Sequence, residues 1–344
     1  MLTLPRLQSL LAAFPGLTIG LVGDLFLDRY LDIEPGVREL SIETDLEAYQ
    51  VTRIRNYPGA LGTVINNLAG LGVGQLVVAT VIGNDGHGYD LLRSLQQLPV
   101  DATGIVSVDD RLTPTYTKPM QLMPDGSWRE LNRIDVRSRA PLSDNAHGRL
   151  ADHVRELFER VDGLIVLDQI VEENWGVVDH RLRRVLSELA ARHPQKLIYS
   201  DSRAYLGQFD FGILKGNRSE YLRAVSSGAA SATPSDSLNA ALTGFAKRNG
   251  RPMFCTVGEE GMLVATPDSN VALVAGYPQP PPIDFCGAGD AATSGIVASL
   301  LASASELEAA AVGNLVASIT VQQLGTTGTA SPKQVLERCR ENHG

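Results

Sequence analysis

The chain has 344 residues, is 44% hydrophobic and carries a formal charge of −9. Such a length and composition suit a globular protein with a substantial core and exclude a disordered or fibrous one. The acidic balance argues against a nucleic-acid or anionic-membrane surface, since either needs a clustered basic face.

Residues 2–14 place leucines at helical spacing without a charged start to a long apolar core, so they read as a surface helix and not as a signal peptide. No apolar run reaches the ~18 residues of a membrane span. Short β-rich runs follow at 17–22, 76–82, 163–167, 196–200, 212–214 and 252–257. They show little polar alternation, as expected of strands covered on both faces. Amphipathic segments at 63–71, 89–98, 146–160, 175–192, 219–224 and 237–248 lie between them, and two further helices are expected at 291–303 and 305–323. Such alternation predicts right-handed βαβ units, hence an α/β fold: a three-layer α/β/α sandwich with a mostly parallel sheet, as a single domain over 1–344. Residues 31–57 and 112–137 alternate polar and apolar side chains, with Met123–Ser127 as a hairpin turn. They predict a small antiparallel β lid over a cleft, the alternative being an edge hairpin without function. Residues 226–237, rich in Ser, Ala and Gly, read as a flexible loop. Cys255, Cys286 and Cys339 have no CxxC spacing and no paired framework, which fits a reducing, cytoplasmic compartment and argues against structural zinc.

The run Asp284-Phe285-Cys286-Gly287-Ala288-Gly289-Asp290 precedes a small-residue helix. Bare amides at a helix N-terminus favour an anion, because orphan donors and the positive dipole end point the same way. A carboxylate beside them can take a hydroxyl proton while the amides of Gly287, Ala288 and Gly289 stabilise a transferring phosphoryl group. The pattern suggests phosphoryl transfer to an alcohol with Asp290 as base. The alternative is a tight turn with Asp290 as a cap. No GxxxxGK[ST] and no GxGxxG after the first strand occur, which removes the P-loop and dinucleotide readings.

Several segments together resemble the ribokinase-like (PfkB) sugar kinases, and within them the bacterial heptose-7-phosphate kinases. Gly23-Asp24-Leu25-Phe26-Leu27-Asp28-Arg29-Tyr30 is similar to their GD-x-x-LDRY segment, and matching segments run from about Gly20 to about Lys333. The resemblance implies an ATP-dependent, Mg²⁺-assisted kinase acting on a sugar or sugar phosphate. Asp24 would bind acceptor hydroxyls, and Asp28 would be a second ligand or a partner for Arg29. Pro58-Gly59-Ala60-Leu61-Gly62-Thr63 resembles PGGAAN, which puts Gly59 and Thr63 at the acceptor. Val81–Gly88 matches a structural VGxDxxG turn that caps the next helix. Lys215-Gly216-Asn217-Arg218-Ser219-Glu220 stands where the family has TPNxxE, implying that Asn217 and Glu220 sit near the metal–phosphate assembly, Glu220 through water. A helix cap of Asn217 with Glu220 is the alternative for the same residues. Thr256, Gly258 and Gly261, with Asn314 and the 324–329 segment, would flank the nucleotide. Asp284 would neighbour the K⁺ that some members use, and the lid would carry a homodimer contact.

Three motifs depart from the family pattern. Ala60 and Thr63 replace the family's second Gly and its Asn. Asp168, which the resemblance also puts at the acceptor, survives from the motif SDYAKG without the lysine, and Arg203 replaces the lysine of DPKG. These changes open two alternatives: a sugar-phosphate-binding or regulatory protein with degraded catalysis, or a kinase of the same fold for a nucleoside or another alcohol.

Overall fold

The computed structural model describes residues 2–226, 234–325 and 327–341. In chain order the strands are β1 (Thr18–Gly23), β2 (Leu25–Leu40), β3 (Glu47–Ala60), β4 (Gln75–Gly83), β5 (Val100–Val108), β6 (Thr115–Leu122) and β7 (Trp128–Glu130). There follow β8 (Ile134–Val136), β9 (Gly163–Asp168), β10 (Leu197–Ser202), β11 (Ile213–Asn217), β12 (Met253–Thr256), β13 (Gly261–Ala265) and β14 (Val271–Ala275). The helices are α1 (Leu4–Ala13), α2 (Leu61–Gly70), α3 (Gly86–Leu95), α4 (Asp144–Arg160) and α5 (His180–Arg192). The rest are α6 (Arg218–Ser226), α7 (Pro234–Asn249), α8 (Ala288–Leu301), α9 (Glu306–Thr320) and α10 (Pro332–Glu341).

Nine strands form the main sheet in the order β14-β13-β12-β11-β10-β9-β1-β4-β5. Pairing is parallel from β5 to β12, and β13 and β14 close that edge antiparallel. Central strands such as Gly163–Asp168 are buried along their whole length, which is why their sequence lacks alternation. One face is covered by α1, α2, α8, α9 and α10, through side chains such as Leu7, Leu68, Ile296, Val316 and Val335. Leu150, Val154, Leu186 and Leu242 from α4, α5 and α7 cover the other. The α/β/α sandwich expected from the sequence is what folds. On either side of β1 the strand order runs in opposite directions, so the crevice at the carboxyl ends of β1 and β9 is a switch point where open α/β sheets take ligands.

Helix starts follow local chemistry. Ser143 caps α4, accepting from Ala146 N, and Asp85 caps α3 through Gly88 N while also accepting from Thr113 N, the structural role expected of that turn. The helix expected from 175 begins only at His180, where Asp179 accepts from Leu182 N. The preceding Asn174, at φ 60°, cannot continue a helix. Strands β5, β13 and β14 and helix α10 were not foreseen. Most of the loop expected at 226–237 and one residue of the 324–329 segment, Thr326, lie outside the described residues.

The second sheet is the lid, in the order β3-β2-β6-β7 with β8 also on β6; it is mixed and not antiparallel throughout as expected, because β2 and β6 pair parallel from Leu27 to Ile33. It is longer than the predicted segments: β2 starts directly after Asp24 and pairs with β3 as far as Ala60.

Candidate active site

The chain from Asp284 to Asp290 is held as a tight loop ahead of α8. Asp284 Oδ1 accepts from Cys286 N at 2.9 Å, and Asp284 N donates to Val321 O at 2.8 Å. Gly287 has φ 78°, a left-handed conformation that glycine adopts at no steric cost. The Ala288 amide donates to Phe285 O at 3.2 Å. Of the three amides expected to face an anion, that one is therefore spent on the loop itself. Among the described residues those of Gly287 and Gly289 have no partner outside the helix. Small residues then let α8 approach α9: a Cβ at Gly295 would lie 3.0 Å from Gly313 Cα.

Neighbouring strand ends supply the charges around this loop. Asp201 ends β10 beside Lys215 of β11, and Lys215 Nζ lies 2.6 Å from Asp201 Oδ2 with both side chains buried. A Cβ at Gly289 would lie 2.9 Å from that ammonium. Asp290, half-buried, has its carboxyl pushed up to about 7 by burial and then by Asp201, against the pull of Lys215 and Arg203. Burial works against the Lys215 ammonium, yet Asp201, Asp290 and Glu220 raise it above its ordinary value. Burial and Asp201 also raise Glu220. Asn217 and Glu220 cap α6 reciprocally: Asn217 Oδ1 accepts from Glu220 N at 3.0 Å, and Glu220 Oε2 accepts from Asn217 N at 2.7 Å. The capping alternative describes their geometry, and one Glu220 oxygen is still free of that pair. Among the described residues no group of three or more His, Cys, Asp or Glu could by itself hold a metal ion.

These groups line a cavity of about 550 Å³ that runs from Gln169 and Arg203 past Gly287, Gly289 and Asp290 to Thr256, Gly258, Gly261 and Asn314. All four residues expected at the nucleotide therefore share one cavity with Asp290. Gly261 (φ 111°) could not carry a side chain, because its Cβ would fall 2.2 Å from Val274 O. Both Asn314 amide protons bind the carbonyls of Val274 and Ala275, leaving its Oδ1 for any ligand.

The lid supplies the opposite wall. The period of two along β2 sends Phe26, Asp28, Tyr30 and Asp32 to one face, and all four are buried. The register sets Gly59, Tyr57 and Arg55 of β3 and Tyr116, Lys118 and Met120 of β6 beside them. Gly59 leaves room for the carboxylate, since a Cβ there would lie 2.8 Å from Asp28 Oδ2. Lys118 Nζ donates to the Tyr30 hydroxyl at 3.1 Å and stands 3.9 Å from Asp28 Oδ2. Burial raises the Asp28 carboxyl, opposed by Lys118, and Asp28 in turn adds to the rise of Asp290. Asp28 thus faces the 284–290 loop. Arg29, its alternative partner, pairs with Asp90 instead.

Three expected acceptor ligands lie elsewhere. Asp24 is 1% exposed, and its carboxylate is spent on backbone amides: Oδ2 accepts from Gln169 N at 2.8 Å and Ile170 N at 3.0 Å, Oδ1 from Val177 N at 2.8 Å. It fastens the loop after β9 and is all but closed to a ligand by burial. Asp168 is 2% exposed, accepts from Ser202 Oγ at 2.8 Å, and is raised to about 8 by burial and by Asp24. Thr63 is buried with its methyl under the loop, 3.2 Å from where a Gly287 Cβ would be. Tyr30, Lys118, Gln169 and Asp201 were missed by sequence reasoning. The alternation Phe26-x-Asp28-x-Tyr30-x-Asp32 was the available signal for Tyr30.

Comparison with known proteins agrees with this fold. A family model described as pfkB family carbohydrate kinase matches residues 192–334. The bifunctional protein HldE of Geobacter sulfurreducens is 26% identical over 343 residues, covering 98% of this chain and 66% of that protein. HldE of Geotalea uraniireducens is 28% identical over 323 residues, covering 94% and 63%. The chain therefore spans just under two thirds of the length of these relatives. Among solved structures, phosphofructokinase-2 from Escherichia coli in complex with substrates and products superposes with a TM-score of 0.67 at 16% identity, covering 95% of this chain and all of that one. Arabidopsis thaliana ribokinase complexed with ribose and ATP superposes at 0.65 and 16% identity, covering 94% and 99%. Family match, sequence relatives and fold converge: residues 192–334 match the PfkB carbohydrate kinases, nearly the whole chain is similar to the HldE proteins, and the fold is that of the ribokinase structures, which together support a phosphotransferase.

Proposed function

We propose that this chain, as a single kinase domain, transfers the γ-phosphoryl group of ATP to a hydroxyl of a sugar or sugar phosphate, a heptose phosphate being the first acceptor to test. The observation that carries the reading is Asp290, raised to about 7 and half-buried in one cavity with the free Gly287 and Gly289 amides. A base poised near neutrality can take the acceptor proton. Fixed amides beside it stabilise charge that develops on the phosphoryl oxygens. Asp28 and Lys118 on the lid hold the acceptor in this reading, with Gly59 giving Asp28 its room, while Asp24, Thr63 and Asp168 act from behind as anchors. Thr256, Gly258, Gly261 and Asn314 flank the nucleotide. Mg²⁺ suits the free Glu220 oxygen through water, with most ligands coming from phosphate, and would neutralise the phosphates. Asp284 is the residue proposed beside a K⁺. Leu40, Ile42, Leu46 and Ile54 of the lid are well exposed, which supports a homodimer contact there. Among the described residues no helix is long and apolar enough to cross a membrane.

The test is ATP consumption with heptose 7-phosphate, fructose 6-phosphate, ribose and a nucleoside, for the wild type and Asp290→Asn. The expected result is turnover on at least one sugar or sugar phosphate and a loss of ~10²-fold or more in the variant, the scale of lost acid–base catalysis, with ATP binding retained. Undiminished turnover would sink the assignment of the base. Binding of sugar phosphates without phosphorylation would favour a sensor.

A further inference from the structure

We propose that Lys215 is a catalytic cation for the phosphoryl transfer, held by Asp201 against the underside of the amide loop so that its ammonium meets the transferring phosphoryl group. This rests on the kinase reading above. In the step itself the bond from the γ-phosphorus to the acceptor oxygen forms as the bond to the bridging oxygen of ADP breaks, and the acceptor proton passes to Asp290. Negative charge on the phosphoryl oxygens and on departing ADP is what a nearby cation stabilises.

Four observations carry the assignment. Lys215, two residues before the carboxyl end of β11 and beside Asp201 of β10, lies near the sheet edge where ligands of open α/β sheets bind. Its side chain lines the cavity shared with Gly287, Gly289 and Asp290, although the residue is only 5% exposed. The space a Cβ at position 289 would need is taken by Nζ, at 2.9 Å, so glycine lets the ammonium touch the loop whose amides are free. Finally, an ammonium has three donors, and among the described residues only Asp201 takes one. A lysine this deeply buried, with unspent donors at a free pair of amides, is arranged for an anion. The alternative is a purely structural ion pair, and for that purpose well-packed apolar residues would serve as well or better.

The test compares the wild type with Lys215→Met, the charge-neutral double variant Lys215→Met/Asp201→Asn, Asp201→Asn and Asp290→Asn. Thermal melting reports folding, calorimetry with ADP and with ATP reports binding, and ATP consumption with the sugars above reports turnover. The double variant is expected to fold, to bind ADP within ~3-fold of wild type, and to lose ~10²–10³-fold in kcat, the scale of removing one anion-hole donor. Asp201→Asn, which leaves the lysine present but unheld, should lose about tenfold in kcat at unchanged ADP affinity. A folded double variant with kcat within ~3-fold of wild type would overturn the proposal, and so would a double variant that cannot fold, since the pair would then be structural. If Asp290→Asn is inactive while the double variant is active, only the role of Lys215 falls; if Asp290→Asn is also active, the kinase site itself is misassigned.

Discussion

Asp24 and Asp28 lie four residues apart, and their structures predict opposite consequences of removal. Replacing Asp24 by Ala strips the acceptor oxygens from three buried amides, those of Gln169, Ile170 and Val177. At about 1–3 kcal/mol for each orphaned donor, offset by relief of the buried charge, the loss comes to about 3–6 kcal/mol of stability. Asp28→Asn removes a charge whose nearest cation is 3.9 Å away. That contact is too long for a hydrogen bond, so stability should change by about 1 kcal/mol or less. A carboxylate that accepts an acceptor hydroxyl is worth about 1.5–3 kcal/mol, so Asp28→Asn should lower kcat/KM for the acceptor by about 10–10²-fold. Urea unfolding gives the first pair of numbers and steady-state kinetics the second. An Asp24→Ala protein of wild-type stability with a selective acceptor defect would refute the anchor reading and restore Asp24 to the acceptor.

Ala60 caps α2 at φ 52° and ψ −114°, a conformation that favours glycine. Ala60→Gly should release about 1–3 kcal/mol of strain and give back about 0.4–1 kcal/mol in unfolded-chain entropy, for a net gain measurable as a higher urea midpoint. A destabilised variant would show that the alanine methyl packs usefully. Because Asp290 titrates at about 7 and a base must be ionised, kcat should rise with pH through neutrality and level off above it. Asp201→Asn, which removes a charge that raises Asp290, should move that limb to lower pH, and an unmoved limb would assign the titration to another group.

The geometry of the 284–290 loop was legible because it is local: glycines, a small-residue helix start and a carboxylate fall within seven consecutive residues. The same holds for the nucleotide-side turns and the helix cap at Asn217 and Glu220. The acceptor side was not local. Whether Asp24 faces a ligand or the interior depends on amides 145–153 residues away, and no spacing reports that. Strand β5 was missed because it is an edge strand that mixes exposed and buried positions, with a register irregularity opposite Val77 and Ala79 that breaks any simple alternation. The lysine at 215 was visible only as a departure from a family pattern. Its meaning came from Gly289, whose missing side chain makes the room it occupies.

The charge of the chain and the charge of the cavity carry different information. A net charge of −9 spread over the surface is screened beyond about 8 Å at physiological ionic strength, so it excludes extended basic faces but says little about a small buried anion site. Within the cavity the balance is set by a few groups: Lys215 and Arg203 against Asp201, Asp290 and Glu220, all in its lining. Burial makes each of these interactions stronger than its surface counterpart. That is why Asp290, at a helix N-terminus and close to two cations, nevertheless keeps its proton up to about 7. The loss of water, with Asp201 and the lid's Asp28, outweighs the cations, and the same opposition that weakens the acid suits it to the proposed role of base.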